Sequence, residues 1–461
     1  MNRTRRDFLK QSSTAGMLAT IPYYWTSQAA ASQPGSKRSI ASIGVGGSRG
    51  RYSQGGYIGR KAAQYGRTIA VCDVDDLHTE EFNVWSQKKL GHKLNKYRDY
   101  RELFAKEKLD VVTIGTPDHW HVAIAIAALR AGCDVYCEKP LTLTIDEGKK
   151  ICKVVRETGR MFQVGTQQRS ENHSRFLKAI AIAQSGRLGK HLNAYVAIGD
   201  APDEGPFAAQ TVPDGLDWEM WLGPSPKKDY LEQRRRMFRW WFEYSGGKMT
   251  DWGAHHIDIA QWALGYDKSG PIEVSANGSF PALVPQGFDW KPFLDGQTKL
   301  PNGYNTATHF SIDLKYANGS TLNVNDTYRR KEDAIEFGNG ILLEGEDGRI
   351  FVNRGKLTGK PIEELTAADN RELDERVIEL YRGRRPGNHM GNFFASVEDR
   401  QLPISDVFTH HRTMTSCHLC NIGLMLGRTL KWDPKQQTFP DDSEAAALMT
   451  RKRRAGYELK A

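Results

Sequence analysis

Three short segments of the chain gather side chains that could do chemistry. The first is Gly246-Gly247-Lys248-Met249-Thr250-Asp251-Trp252-Gly253-Ala254-His255-His256-Ile257-Asp258. Wound as a helix at about 100° per residue, it brings Asp251, His255 and Asp258 into one wedge of roughly 60° and turns His256 away. A carboxylate beside an imidazole is what a general base near neutral pH requires, because the carboxylate orients the ring and stabilises its protonated form. The same wedge also fits a helix-cap and core network, or part of a metal site. The second constellation is a pair of segments, Thr116-Pro117-Asp118-His119-Trp120-His121 and Glu138-Lys139-Pro140, each following a short apolar run. Open α/β sheets bind ligands outside the carboxyl ends of their strands, so Lys139 and His121 are candidates for that crevice.

The third is Ile43-Gly44-Val45-Gly46-Gly47-Ser48-Arg49-Gly50. Glycines allow a tight turn and let backbone N–H groups approach a pyrophosphate at the following helix N-terminus. The spacing places the last glycine one position late against G-x-G-x-x-G, but the context is right. The next strand ends at Asp73, where a carboxylate can accept hydrogen bonds from an adenosine ribose and repel a 2′-phosphate. Dinucleotide binding by Gly44, Gly46, Gly47, Ser48, Arg49 and Asp73 is therefore expected, with NAD favoured over NADP. Arg49 pulls the other way. The 29 residues from Gly44 to Asp73 exceed the usual gap, so an insertion is expected over 48–59.

Stepping along the chain, apolar runs at 39–43, 68–72, 111–114, 134–137 and 161–164 alternate with helical patterns near 57–65, 76–90, 100–106, 119–131 and 145–157. Such alternation predicts a parallel sheet covered on both faces. Beyond about 190, β-like runs dominate at 191–198, 272–279, 307–316, 321–327, 340–344 and 349–353. Asn318-Gly319 and Asp347-Gly348 read as hairpin turns, and 391–397 with 410–426 as a helical return. The fold class is thus α/β plus α+β: an N-terminal Rossmann parallel sheet, then a C-terminal open, mainly antiparallel sheet domain. The expected division is an export leader over 1–31, a linker over 32–37, a nucleotide domain over 38–165 and a substrate domain over 166–461. Stretches 202–213 and 281–301 read as long surface loops.

With 461 residues, 39% hydrophobic and 26% charged, the chain can build large cores, which excludes disorder and a disulfide mini-protein. Its charge of +9 falls to +6 without the first 31 residues, which carry Arg3, Arg5, Arg6 and Lys10 against Asp7. Basic clusters Arg234-Arg235-Arg236 and Arg451-Lys452-Arg453-Arg454 read as solvated faces, so no nucleic-acid partner is expected. Six cysteines form no disulfide framework; Cys417 and Cys420 have half the spacing of a zinc site without its second half, so no metal is expected. No apolar run outside the leader approaches the ~18 residues of a membrane span, and an integral membrane protein is not expected.

Arg5-Arg6-Asp7-Phe8-Leu9-Lys10, a weakly apolar stretch and Ala29-Ala30-Ala31 describe an export leader. The paired arginines resemble twin-arginine signals, which implies the twin-arginine machinery as a partner, export of the folded chain, and a periplasmic or otherwise extracytoplasmic location.

Taken together, residues 39 to about 432 resemble the glucose–fructose oxidoreductase and inositol dehydrogenase (Gfo/Idh/MocA) family, through the glycine turn, Thr116-Pro117, Glu138-Lys139-Pro140 and the Gly-Gly-x-x-x-Asp-x-Gly-x-His-x-x-Asp run ending at Asp258. The resemblance implies bound NAD(H) or NADP(H), a second domain that often mediates homo-oligomers, and a cis peptide before Pro140. By motif position it makes Lys139, Asp251 and His255 catalytic and Thr116, Pro117 and Glu138 cofactor-lining. Gln167, just after the last Rossmann strand, is expected near the nicotinamide. Among the aromatic residues preceding Asp251, Trp241 and Tyr244 are candidate sugar platforms, and Asp258 is a further substrate candidate.

The expected reaction is hydride transfer from a secondary alcohol of a sugar, cyclitol or glycoside. His255 accepts the proton, Asp251 holds the imidazole and Lys139 hydrogen-bonds the developing alkoxide. Export away from the cytoplasmic nicotinamide pool implies a tightly bound, recycled cofactor. Two alternatives stay open: redox-neutral glycosidase, lyase or epimerase chemistry through transient oxidation, and a non-catalytic sugar-binding protein.

Overall fold

The computed structural model describes residues 38–47 and 53–459. The segments read as an export leader and a linker, and Ser48 and Arg49 of the glycine turn, lie outside the described residues. Strands β1 (Ser39–Ile43), β2 (Arg67–Cys72), β3 (Asn95–Tyr97), β4 (Val111–Ile114), β5 (Asp134–Cys137) and β6 (Phe162–Val164) form one sheet in the order β3-β2-β1-β4-β5-β6. Every neighbouring pair is parallel. Strands as uniformly apolar as β4 must be covered on both faces. Helices α1 (Gln54–Ala62), α2 (Asp76–Leu90), α3 (Tyr100–Lys106), α4 (Asp118–Arg130) and α5 (Ile145–Thr158) supply that cover. Ser53, Asp75, Asp99 and Thr144 cap four of them by accepting first-turn N–H groups. Strand order reverses between β1 and β4, which opens a crevice over the glycine turn. Only β3 escapes the apolar pattern: it is three residues long, largely exposed, and at the sheet edge.

The second sheet contains β7 (Asn193–Ala197), β8 (Glu273–Ser279), β9 (His309–Lys315) and β10 (Thr321–Asn325). A separate pair, β11 (Tyr328–Arg330) and β12 (Ile335–Phe337), lies alongside, followed by β13 (Gly340–Gly345), β14 (Gly348–Val352), β15 (Leu357–Thr358) and β16 (Leu430–Lys431). The order is β15-β14-β13-β7-β10-β9-β8-β16, antiparallel except where β10 meets β7. In β9, Phe310, Ile312 and Leu314 point into the core while His309, Ser311, Asp313 and Lys315 are exposed. Each such buried side chain contributes about 1.5–3 kcal/mol and pins the register, since a one-residue slip would expose all three. The core lies between this sheet and α6 (Arg175–Gln184), α9 (Gly253–Ala263) and α11 (Val407–Leu426); α7 (Trp218–Leu222), α8 (Gly247–Asp251) and α10 (His389–Asp399) complete the set used below.

Several expectations are corrected here. The run from Asp251 to Asp258 is divided at Trp252 into α8 and α9, but Trp252 itself keeps helical backbone angles (φ −83°, ψ −28°). Stretch 281–301 is not a surface loop throughout, because its short helix Trp290–Leu294 buries Trp290, Phe293 and Leu294 in the main core. Asp258 is a structural joint and not a substrate group. Arg169, just beyond β6, donates from Nε and Nη2 to its two oxygens at 2.7 Å each, and Thr413 adds a 2.6 Å bond. Arg169 also pairs with Asp267 at 2.5 Å, so a buried cation fastens the end of the first sheet to α9 and the second domain.

Eight histidines are buried in this fold. Burial holds His119, His410 and His418 at about 3 and His121, His256, His389 and His411 at about 4, and pushes His255 well below the ordinary imidazole value. The unfolded chain takes up these protons near pH 6.5 and the folded chain does not. Stability is therefore complete above about pH 6.5 and lost as pH falls below it, by up to ~1.4 kcal/mol per histidine per pH unit. Urea midpoints measured from about pH 8 to about pH 5 should be level at first and then fall steeply; a level profile throughout would contradict the neutral buried rings.

Candidate active site

A cleft of about 530 Å³ is lined by the carboxyl ends of β1, β2, β4 and β5 on one side and by residues between Leu216 and His255, with Arg354, on the other. Its nucleotide side is built by close backbone approach. Gly44 has φ +72°, and a Cβ there would stand 2.6 Å from the backbone nitrogen of Thr116; a Cβ on Gly55, in α1, would lie 1.7 Å from the Gly44 carbonyl oxygen. Only glycine permits this approach of turn, strand end and helix. Asp73 holds the turn from below: its Oδ2 accepts from Val45 N at 2.9 Å and Gly46 N at 3.1 Å. Oδ1 accepts from Asp75 N at 3.1 Å and lies 3.3 Å from His78 Nδ1. Asp73, just past β2, thus supports the glycine turn and also lines the cleft itself.

Glu138 performs a comparable task at the next strand ends. Its Oε1 accepts from Gln54 Nε2 at 2.8 Å and Gln167 Nε2 at 3.0 Å, which ties α1, β5 and the segment after β6 together. Burial raises its carboxyl, while the two amides and Lys139 oppose that shift. Thr116, Pro117, Glu138 and Gln167 all line the cleft. His121 does not. Its ring is buried between the carbonyls of Pro140 (2.7 Å) and Thr116 (2.8 Å), and as a neutral imidazole it donates to one of them. The structure therefore corrects its expected cofactor role to a positioning one.

At the other end, the Lys139–Pro140 peptide is cis. Lys139 Nζ donates to Asp251 Oδ1 at 2.6 Å and to the Asp251 carbonyl at 3.0 Å. Arg239 Nε lies 3.5 Å from Asp251 Oδ2. Burial by itself would raise the Asp251 carboxyl, but these two cations outweigh it and hold the group well below the usual carboxylate range. Asp251 therefore grips Lys139 and not His255, as the sequence reading had it. His255 lines the same wall with its ring 5.9 Å from that of Trp252, and its Nδ1 is buried without a partner. Burial, then the charges of Lys139 and Arg354, keep this imidazole neutral. His256 lies elsewhere, with Nε2 3.1 Å from Asn339 Oδ1.

Trp241 and Tyr244 do not reach the cleft. Both are buried in the aromatic layer behind it, where Trp241 packs edge-on against Tyr304 at 4.8 Å and the Tyr244 hydroxyl accepts from Arg234 Nη1 at 3.0 Å. Tyr100, Trp120, Trp221, Phe238 and Trp252 form the aromatic lining instead. The basic clusters are not plain solvated faces either: Arg234 is buried, Arg235 pairs with Asp75 at the cleft, and Arg451 is half-buried and donates to the Phe242 carbonyl. Of the first cluster only Arg236 is exposed. Sequence reading also passed over Arg239 and Asp118. Asp118 lines the cleft, accepts from the Ser245 hydroxyl, and is raised by burial to about 7. Among the described residues no cluster of three or more His, Cys, Asp or Glu could hold a metal ion, all six cysteines are free and buried, and no helix is long and apolar enough to cross a membrane.

Because Asp73 orders the turn through two backbone N–H groups, Asp73→Ala should weaken NADH binding by about ten- to hundredfold, or ~1.5–3 kcal/mol. A fluorescence titration measures this, and an unchanged affinity would show that the turn orders itself without the carboxylate.

Comparison with known proteins places this geometry. Residues 38–166 match the oxidoreductase family, NAD-binding Rossmann fold, and residues 203–281 and 302–459 match its C-terminal alpha/beta domain. The chain is 34% identical over 268 residues to 1,5-anhydro-D-fructose reductase of Ensifer adhaerens, covering 58% of this chain and 63% of that protein. It is 30% identical over 125 residues to inositol 2-dehydrogenase of Salmonella typhimurium, covering 27% and 35%. The aligned parts span from about a third to under two thirds of such curated relatives. Among solved structures, the fold is shared with the WlbA dehydrogenase of Bordetella pertussis in complex with NADH and UDP-GlcNAcA (TM-score 0.58, 16% identity, 86% of this chain and 98% of that one). An NAD-binding protein from Listeria innocua gives a TM-score of 0.53 at 20% identity, covering 86% and 97%. The two family matches run through the glycine turn, Lys139, Asp251 and His255 alike, and the chain belongs to the Gfo/Idh/MocA family of oxidoreductases, whose N-terminal domain is an NAD-binding Rossmann fold.

Proposed function

We propose that this chain interconverts a secondary alcohol of a sugar, cyclitol or glycoside and the corresponding ketone, using NAD. The observation that carries the reading is the Lys139–Asp251 pair, 2.6 Å long, in the wall of the crevice that begins at the glycine turn, with His255 in the same wall. The close-packed glycines fit a dinucleotide, since side chains at Gly44 or Gly55 would collide with the neighbouring backbone. Gly44, Gly46 and Gly47 would hold its pyrophosphate, and Thr116, Pro117, Glu138 and Gln167 its nicotinamide half. When bound, NAD supplies the acceptor for the hydride that leaves the carbinol carbon.

The remaining work falls to the protein. Asp251 fixes the Lys139 ammonium, which donates to the substrate oxygen as negative charge develops there. His255, in the same wall, is the group placed to accept the hydroxyl proton as the carbonyl forms. Proton transfer by a placed base is worth ~10²–10⁴-fold.

A retained cofactor is part of the proposal, together with twin-arginine export and an extracytoplasmic site of action. The links across the nucleotide end of the cleft support retention. Asp75 forms an antiparallel bridge with Leu216, with Asp217 N donating to the Val74 carbonyl at 2.9 Å and Asp76 N to the Gly215 carbonyl at 3.1 Å. The Arg235–Asp75 ion pair lies beside them. Opening that end requires breaking all of these.

Protein purified without added nucleotide should therefore release NAD(H) on denaturation. Adding polyols should produce a lasting reduced-nicotinamide absorbance; aglycone release without it would instead favour redox-neutral chemistry. Lys139→Ala and His255→Ala should each lose ~10²–10⁴-fold in turnover while still binding the dinucleotide. Undiminished turnover in either variant removes that residue from the mechanism.

A further inference from the structure

Segment 449–457, which carries the second basic cluster, joins three helices at the nucleotide end of the cleft. Asp146 N donates to the Met449 carbonyl at 3.2 Å and Arg453 Nη2 donates to Glu147, both acids belonging to α5. Arg454 turns to α7. Its Nη2 donates to the Glu219 carbonyl at 3.1 Å and its Nη1 to the Glu219 carboxylate at 2.5 Å. Just beyond that helix, its Nε donates to the Gly223 carbonyl at 2.5 Å and its backbone N to the Pro224 carbonyl at 3.1 Å. Tyr457 sets its ring edge-on against Trp120 of α4 at 5.6 Å, with the Arg454 guanidinium 5.1 Å over its face.

The elements so joined are parts of the cleft itself. Trp120 lines it from α4, and Met220 and Trp221 line it from α7; Arg453, Arg454 and Tyr457 do not. At five residues α7 is too short to be stable alone, and the last carbonyls of a helix need partners from outside it. Trp120 Nε1 donates to the carbonyls of Met220 at 3.1 Å and Trp221 at 3.0 Å, and His119 Nε2 lies 2.8 Å from the latter. Arg454 serves those of Glu219 and Gly223. The fit against Trp120 is close, since a Cβ on Gly223 would stand 2.1 Å from its ring. The Glu219 carboxylate is 56% exposed and lies 3.5 Å from Lys227 as well, so its ion pair with Arg454 contributes little. The carbonyl bonds from the largely buried guanidinium and the ring contact of Tyr457 do the fastening.

We propose that Arg454 and Tyr457 are positioning residues for the dinucleotide: from outside the cleft they hold α7 against Trp120, and so set the rate at which the cofactor leaves. This rests on the retained-cofactor reading above and assigns it to residues beyond the cleft wall. The Asp75–Leu216 bridge fastens the start of the stretch 215–224, and Arg454 fastens its end. Local opening of that stretch is the motion that both restrain.

The test is the dissociation rate of NADH from the loaded protein, followed by fluorescence on mixing with excess NAD, together with amide hydrogen exchange. In the double variant Arg454→Ala, Tyr457→Ala, NADH should leave about tenfold or more faster. Amides of 216–223 should exchange faster while those of β1 and β4 keep their rates. Tyr457→Phe preserves the ring contact and should keep the original dissociation rate. If the double variant does not fold, either single substitution should speed release about threefold. An unchanged dissociation rate, faster release with unchanged exchange over 216–223, or faster exchange throughout both sheets overturns the inference. Unaltered protein purified without nucleotide on it overturns the retained-cofactor reading, while the rate comparison on NADH-loaded protein still decides this one. Failure of the unaltered protein to bind NADH overturns both.

Discussion

Lys139 and Asp251 come from different domains of the molecule, one at the exit of β5 and the other at the end of α8, and they meet at 2.6 Å in a wall largely shielded from water. Taking two charges out of water costs several kcal/mol per ion, which only close geometry and further hydrogen bonds can offset. Here the offset comes from the second bond to the Asp251 carbonyl and from Arg239 on the other oxygen. The pair can form only when both domains are in place, so the reactive end of the cleft is a product of their docking. With Asp251 committed to two cations, His255 has no anion of its own and stays neutral.

Other buried acids near the cleft are used in the same manner. Asp73 holds the glycine turn, Glu138 joins two amides, Asp75 meets Arg235, and Asp258 anchors Arg169. Each converts a carboxylate that would be costly to bury into a joint between segments distant in the chain. The walls of the crevice are therefore set before any ligand arrives, as electrostatic catalysis requires. The cost of this arrangement is a protein whose interior tolerates acid poorly, because its buried histidines cannot take up the protons that the unfolded chain accepts.

Local pattern alone was enough for five of the six strands of the first sheet. These are short apolar runs, with the glycine turn after the first and Asp73 just past the second. The hairpins at Asn318-Gly319 and Asp347-Gly348 were legible for the same reason: two residues that accept positive φ join alternating strands. Lys139, Asp251 and His255 were legible as reactive types in a recognisable motif. Strand β3 was not, being too short and exposed to leave an apolar signal.

What the chain determined by itself was which residue types stand at strand exits and helix faces, because helical and extended periodicities are properties of neighbours. What only the tertiary structure decided was partnership. Periodicity put Asp251, His255 and Asp258 on one face, yet Asp251 bonds a lysine 112 positions away and Asp258 an arginine 89 positions away. Trp241 and Tyr244 carry the same aromatic signal as Trp221, but only Trp221 lines the cleft. A buried charge or ring takes the best partner available in three dimensions, and that competition is settled by packing between distant segments, which no local spacing encodes.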